Sequence, residues 1–263
     1  MLSLISFQEY LRFHACQHHE VVSSPPFTLF FHRTNARSWA NYAIPDASGN
    51  SDVQDGLRSL QTLFAEHDRK PSLRFIEEVF PHLPPMLRSS GWSEAERPQI
   101  MICTRETYRP APEVLGLAII TLSHESSVAQ VCEGLDTKVF GFDLQAQRTT
   151  TQEAEEFRQD LILSRAFTAH LHEQPAGAGM FTEIHKGVTE LIGITTLSPF
   201  RRRGIATALT AFMTQVALRQ GAALVFLLAG NEQAARVYER VGFRPYATLG
   251  VYELPASMPN EEE

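Results

Sequence analysis

The chain has 263 residues, 43% of them hydrophobic, enough to bury a full core as one large domain or two small ones. Its net charge of −7 speaks against a broad nucleic-acid-binding face, though not against a local basic cluster for a small phosphorylated molecule. Cys16, Cys103 and Cys132 are far apart and form no C-x-x-C pair, so reduced thiols in a cytoplasmic protein are expected, with no disulfide framework and no metal site.

The opening MLSLISFQEYLRFHACQHHE is broken by Glu9 and Arg12, so it reads as a helix to about Val22 and not as a signal peptide. No uncharged apolar run reaches membrane-span length, so no membrane partner is expected. An aromatic strand follows at Phe27–His32, then a loop over Ile44–Asp52, rich in turn-forming residues. Leu57, Leu60, Leu63 and Phe64 at helical spacing predict a helix from Val53, with Asp52 as its cap. A strand at Leu73–Ile76, a helix near Pro81–Ser89 ending at Gly91-Trp92, and a strand at Gln99–Thr104 complete the first half. Two prolines in Tyr108–Glu113 predict a linker, which divides the chain into domains 1–110 and 111–263.

Beyond it, Val114–Leu122 reads as a strand, with helices at Ser126–Leu135 and Thr150–Leu163. Arg165–His172, Ala176–Ile184 and Val188–Thr196 are strands joined by short turns, an antiparallel meander. A turn rich in Pro, Arg and Gly then opens a helix striped by Ile205, Leu209, Phe212, Met213 and Val216. The apolar run Ala223–Leu228 reads as a strand buried on both faces. A helix at Asn231–Val241, closed by Gly242, and a strand at Tyr246–Leu254 end the fold, before a short acidic tail at Pro259–Glu263. The strand–helix–strand passage from Val188 to Leu228 places a parallel pair inside a mixed, mostly antiparallel sheet flanked by helices, an α/β chain of α+β type. Phe75–Trp92 and Leu228–Phe243 share one pattern, suggesting two copies of one arm.

The string S-P-F-R-R-R-G-I-A-T at 198–207 sits between a strand and a helix. First-turn N–H groups there have no intrahelical partners and lie at the positive end of the helix dipole. Gly204 and Ala206 allow close approach of an anion to the backbone, and Arg201, Arg202 and Arg203 add charge for a pyrophosphate or a ribose phosphate. The dinucleotide and P-loop glycine fingerprints are both absent.

R-R-R-G-I-A at 201–206 resembles the R/Q-x-x-G-x-G/A motif of the GCN5-related N-acetyltransferases (GNAT). Asn231 to Phe243 is similar to that family's N-x-x-A-x-x-x-Y-E-x-x-G-F pattern, at the family's spacing. The resemblance covers about Glu113–Pro255. It implies a GNAT fold with acetyl-CoA as co-substrate, and the Gly91-Trp92 arm implies a degenerate N-terminal copy, as in tandem members.

By that resemblance, the backbone of Thr196 and Leu197 holds the pantetheine arm, and Arg201 occupies the motif's Arg/Gln place. The pyrophosphate lies on the N–H groups from Arg202 through Gly204, Ile205 and Ala206 to Thr207. Asn231 contacts the cofactor, Ala235 makes room for it, and Tyr238 protonates the departing thiolate. Glu190, within Val188–Thr196, is the first candidate for the base and Glu183 the second. His170, His172 and His185 also lie on or beside this meander. No Ser/His/Asp or Cys/His arrangement is visible, so direct attack by an amine in a ternary complex is expected rather than an acyl-enzyme.

The implied activity is acetyl transfer to the amine of a small molecule by a monomer or homodimer. The competing readings are an acyl-CoA sensor and a GNAT-fold enzyme that transfers longer acyl groups or decarboxylates malonyl-CoA. Aminoacyl transfer from tRNA is disfavoured by the intact pyrophosphate turn and the acidic balance. In a tandem arrangement the aromatic cluster Trp39, Tyr42, Phe75 and Trp92, best explained as core, could also line an acceptor pocket.

Overall fold

The computed structural model describes residues 4–33, 35–46, 53–161 and 165–255. The expected loop over 47–52 with its Asp52 cap and the acidic tail Pro259–Glu263 lie outside them, as does the end of the Thr150–Leu163 helix from residue 162. Among the described residues, those up to Gln99 and from Ala247 onward form one compact unit, and Ile100–Tyr246 form a second.

The first unit begins with helix α1 (Leu4–His18) and strands β1 (His19–Ser24), β2 (Phe27–His32) and β3 (Asn41–Pro45). Helix α2 (Val53–Glu66), strand β4 (Ser72–Ile76), helix α3 (Leu83–Ser89) and strand β5 (Ser93–Glu96) follow. The helix expected to reach Val22 therefore stops at His18. His19–Ser24 is drawn into a hairpin, with His19 opposite His32 and Ser24 opposite Phe27. Asn41–Pro45, partly expected as loop, is instead a strand antiparallel to β2 and parallel to β4 at Ala43–Leu73. α2 forms where the apolar spacing demanded it: Leu57, Leu60 and Phe64 point one way into a core with Phe27, Leu29, Phe31, Leu73 and Phe75. In the aromatic cluster, Phe75 and Trp92 are core, Tyr42 lies under the Arg74 guanidinium at 4.4 Å, and Trp39 is exposed.

The second unit holds β6 (Gln99–Thr104) from Ile100 on, then β7 (Leu117–Leu122), α4 (Val128–Phe142), α5 (Thr151–Asp160), β8 (Arg165–Leu171) and β9 (Gln174–Phe181). It continues with β10 (Val188–Thr196), α6 (Ile205–Arg219), β11 (Leu224–Ala229), α7 (Glu232–Val241) and the start of β12 (Arg244–Glu253). Its strand order is β6-β11-β10-β9-β8-β7. The meander β7–β8–β9–β10 is antiparallel and β10–β11 is the parallel pair, joined through α6 as expected. α4 and α5 each start at a capping box, Ser127 with Gln130 and Thr150 with Glu153, in which side chain and backbone satisfy each other's free N–H groups. α4 runs seven residues past the expected end at Leu135, because packing against β8, β9 and β10 carries it through Gly134 and Gly141.

The division differs from 1–110 and 111–263. The expected linker belongs to the second unit, where Tyr108, Ala111 and Val114 pack on its core and the Arg109 N–H donates to Val241 O at 2.8 Å. The far part of β12 pairs antiparallel with β4, from Leu249–Ile76 to Glu253–Ser72, and buries Tyr252 in the first unit's core.

The two units repeat one order of elements. β1–β2–β3–α2–β4–α3 and β8–β9–β10–α6–β11–α7 each run antiparallel, antiparallel, then parallel through a crossover helix. Both arms close identically: Trp92 N–H donates to Leu87 O at 3.0 Å and Phe243 N–H to Tyr238 O at 3.2 Å, around Gly91 and Gly242 at positive φ. Among the described residues no helix is long and apolar enough to cross a membrane.

Candidate active site

The site starts from a parting of strands. β10 and β11 pair from Val188–Leu224 to Glu190–Phe226, and the pairing goes no further toward Thr196 and Ala229. On its other side β10 stays bound to β9, with a register shift between Ile192 and Thr195. A bulge of this kind bends a strand away from its neighbour. The two strands that part lead directly into α6 and α7, and those helices pack against each other.

At the start of α6, Gly204 is the N-cap, at φ 82° and with no side-chain cap. The first i to i−4 bond is Ala208 N–H to Gly204 O at 2.9 Å, so the N–H groups of Ile205, Ala206 and Thr207 precede the helical ladder. Arg202 is also left-handed at φ 64°. Arg202 and Arg203 are exposed, and the Arg203 guanidinium sits 5.9 Å from the centre of the Phe200 ring. An anion here would meet unpaired donors, the positive end of a 15-residue helix and two exposed cations.

Arg201 does different work. Its Nε donates to Thr196 O at 3.1 Å and its terminal nitrogen to Gly141 O at 3.2 Å. It ties the turn to the end of β10 and to the carbonyl end of α4, where a cation is favoured. The Leu197 N–H is likewise engaged, donating to Ala176 O at 2.9 Å, while Leu197 O accepts from Phe200 N–H at 2.9 Å. The group left without a partner is the buried Thr196 hydroxyl. A buried polar atom with no hydrogen bond is costly, and a water or a ligand's polar group would relieve it.

On α7, Asn231 is the N-cap, its side-chain oxygen accepting from Ala234 N–H at 2.9 Å. Ala235 and Tyr238 pack on the core cluster that contains Leu191, Leu227, Ala229 and Ile205. The Tyr238 ring lies 6.2 Å from that of Phe243. Burial pushes the Tyr238 phenol above its ordinary range, and among the described residues no group hydrogen-bonds its hydroxyl. Such a phenol stays protonated and free to donate.

Glu190 is half-buried at the last parallel pair, its backbone bonded both ways to Thr182. His170 is committed elsewhere: its Nε2 lies 2.7 Å from a Glu133 carboxylate oxygen, between α4 and β8. His172 and His185 occupy turns, His172 at φ 50° and His185 bridged to Val188. Burial pushes the Cys103 thiol up, as suits an inert core cysteine. Among the described residues no three His, Cys, Asp or Glu side chains gather as a metal site would need.

Residues 136–243 match the model of the acetyltransferase (GNAT) family. This segment is a GNAT domain. The chain as a whole has the GNAT fold: a GCN5-related N-acetyltransferase from Kribbella flavida is 22% identical, with a TM-score of 0.78 and 95% of each chain covered. A tandem GNAT protein from the clavulanic acid biosynthesis pathway is 15% identical, with a TM-score of 0.64 over 88% of this chain and 79% of its own. A GCN5-related N-acetyltransferase from Sphaerobacter thermophilus is 17% identical, with a TM-score of 0.63 over 89% of this chain and 78% of its own. No curated protein matches the chain. The matched segment begins inside α4 and ends just past α7, so it contains both the uncapped α6 turn and Tyr238.

Gly204 holds the left-handed position that opens α6. A side chain there would strain a left-handed backbone by about 1–2 kcal/mol, and its Cβ would lie 3.2 Å from Val114 Cγ2. Gly204→Val is expected to weaken binding of CoA, a ligand that such a turn suits, by roughly 5- to 30-fold, since about 1.4 kcal/mol is tenfold in Kd. Isothermal titration of CoA into both proteins measures it; an unchanged Kd would move the anion site elsewhere.

Proposed function

We propose that the chain is an acyl-CoA-dependent N-acyltransferase that moves an acetyl group from acetyl-CoA to the amine of a small molecule. The observation that carries this reading is the parting of β10 and β11 beyond Glu190–Phe226, with the uncapped start of α6 after one strand and Tyr238 on the helix after the other. The residues fit CoA: the α6 turn suits a pyrophosphate, and the orphaned Thr196 hydroxyl suits an amide of the pantetheine arm.

Acetyl-CoA supplies an acyl carbon already activated as a thioester. The chain's residues hold and orient the reactants and move protons. Glu190, directly or through water, is the candidate that takes a proton from the ammonium form of the acceptor. As the carbon–nitrogen bond forms and the carbon–sulfur bond breaks, Tyr238 gives a proton to the thiolate, and the proton then shed by the acylated nitrogen restores the phenol. No covalent acyl-enzyme is needed, because bringing acceptor and thioester together makes attack effectively unimolecular.

Incubating the protein with acetyl-CoA and a panel of small amines, and reading free thiol, tests the proposal. Acceptor-dependent thiol release is expected, with a rate that falls in Glu190→Gln. CoA binding with no thiol release from any acceptor would favour a sensor and sink the transferase reading.

A further inference from the structure

We propose that Lys138 anchors a carboxylate on the acceptor, so that the amine acylated belongs to a small acid with an apolar body, such as an aliphatic amino acid. This rests on the acyl-transfer reading above and names the substrate class of the same site.

The chain contains only Lys70, Lys138 and Lys186 as lysines, beside many arginines. Lys70 pairs with Glu253 at 2.5 Å, and Lys186 is exposed in the turn between β9 and β10. Lys138 differs from both. It lies on α4 with its stem against β10: a Cβ built on Gly193 would sit 2.8 Å from its Cε and 3.5 Å from its Nζ. Gly193 lies on β10 between Glu190 and Thr196, within the stretch beyond the β10–β11 pairing. The ammonium therefore reaches the segment between the candidate base and the expected pantetheine contact.

Among the described residues no hydrogen bond or ion pair holds Lys138. Burial alone acts on its charge, lowering its pKa, and among the described residues no carboxylate offsets that cost. A desolvated cation without a counter-ion is unfavourable, and a ligand carboxylate relieves it by a charge-assisted hydrogen bond. Beside it runs a crevice lined by Leu122, Leu135, Phe157 and Met180. It holds about 270 Å³ of atom-free space, partly open to solvent, with inner room for about one water-sized group. One cation at the edge of an apolar crevice too small to enclose a side chain suits a compact acid whose apolar end rests at the mouth.

The test uses the full chain with its lysines dimethylated with carbon-13, which leaves few signals; the one missing in Lys138→Met is Lys138. Titration with isovalerate is expected to shift that signal saturably and raise its titration midpoint, because a bound carboxylate favours the charged form. Isovaleramide, the neutral isostere, should do neither. An equal response to both, or to neither, overturns the proposal. In turnover, leucine should be preferred to isoamylamine, and Lys138→Met should cut that kcat/KM ratio roughly 10- to 100-fold, with Lys138→Arg keeping part of it. A wild-type preference for isoamylamine would also overturn the anchor. So would acetylation of the Lys138 peptide at the rate of acceptor turnover, which would make it a nucleophile. If CoA fails to bind, the transferase reading falls, while the isovalerate titration still decides the anion site.

Discussion

Tyr238→Phe is expected to lower kcat by about two to four orders of magnitude, the usual worth of a positioned general acid, while CoA affinity stays near wild type. The substitution removes one oxygen and keeps the ring that packs near Phe243 and on the core. It therefore deletes the proton donor without emptying the helix face. The loss should appear in kcat and kcat/KM together, the mark of an interaction made in the transition state. Burial raises the Tyr238 pKa, so the acid form persists to at least the ordinary phenol value of about 10, and wild-type activity should show no alkaline loss from Tyr238 below that. The linkage has a definite sign. A group whose folded pKa is raised contributes stability that is complete below its unfolded pKa and is lost as pH rises through the folded one. The Phe variant should therefore lose less stability than wild type above about pH 10. Steady-state kinetics with thiol detection and thermal melts across pH provide the measurements. Undiminished kcat with intact CoA binding would remove Tyr238 from the chemistry.

The second large effect is structural. Gly242→Ala is expected to destabilise the protein by about 2–4 kcal/mol, combining left-handed strain with a backbone collision. Gly242 closes α7 at φ 99°, and a Cβ there would overlap the Thr107 carbonyl oxygen and lie 2.7 Å from its carbon. That carbonyl belongs to the segment whose Arg109 N–H bonds Val241 O, so it has little freedom to withdraw. Gly91→Ala is the internal control. Gly91 closes α3 at φ 83°, but a Cβ there meets nothing within 4 Å. It should cost only the strain, about 1–2 kcal/mol. At roughly 2–4 °C per kcal/mol for a chain of this size, Gly242→Ala should lower Tm by about 5–15 °C and clearly more than Gly91→Ala does. Equal shifts for the two variants would refute the collision. Because α7 carries Tyr238, kcat should fall in Gly242→Ala even where the protein remains folded.

The matching of these two glycines shows what local sequence could reveal. A helix followed by Gly-Trp or Gly-Phe is a self-contained signal, since the closing hydrogen bonds link residues a few positions apart. The Arg-Gly turn before α6 is equally local and is visible as a string. His19–Ser24 was not, because a polar stretch after a helix becomes a strand only when Phe27–His32 folds back beside it. Asn41–Pro45 was missed for the same reason. The engagement of Arg201 was hidden too, since Gly141 is 60 residues away in sequence.

The sequence by itself therefore determined the helical stripes and the two motifs of the GNAT segment, all set by residues within one or two helical turns of each other. Only the tertiary structure decided which strands pair, where the two units divide, that β12 ends against β4, and that Lys138 lies desolvated over Gly193. These outcomes depend on surface buried between distant segments, and no short stretch of sequence carries that energy.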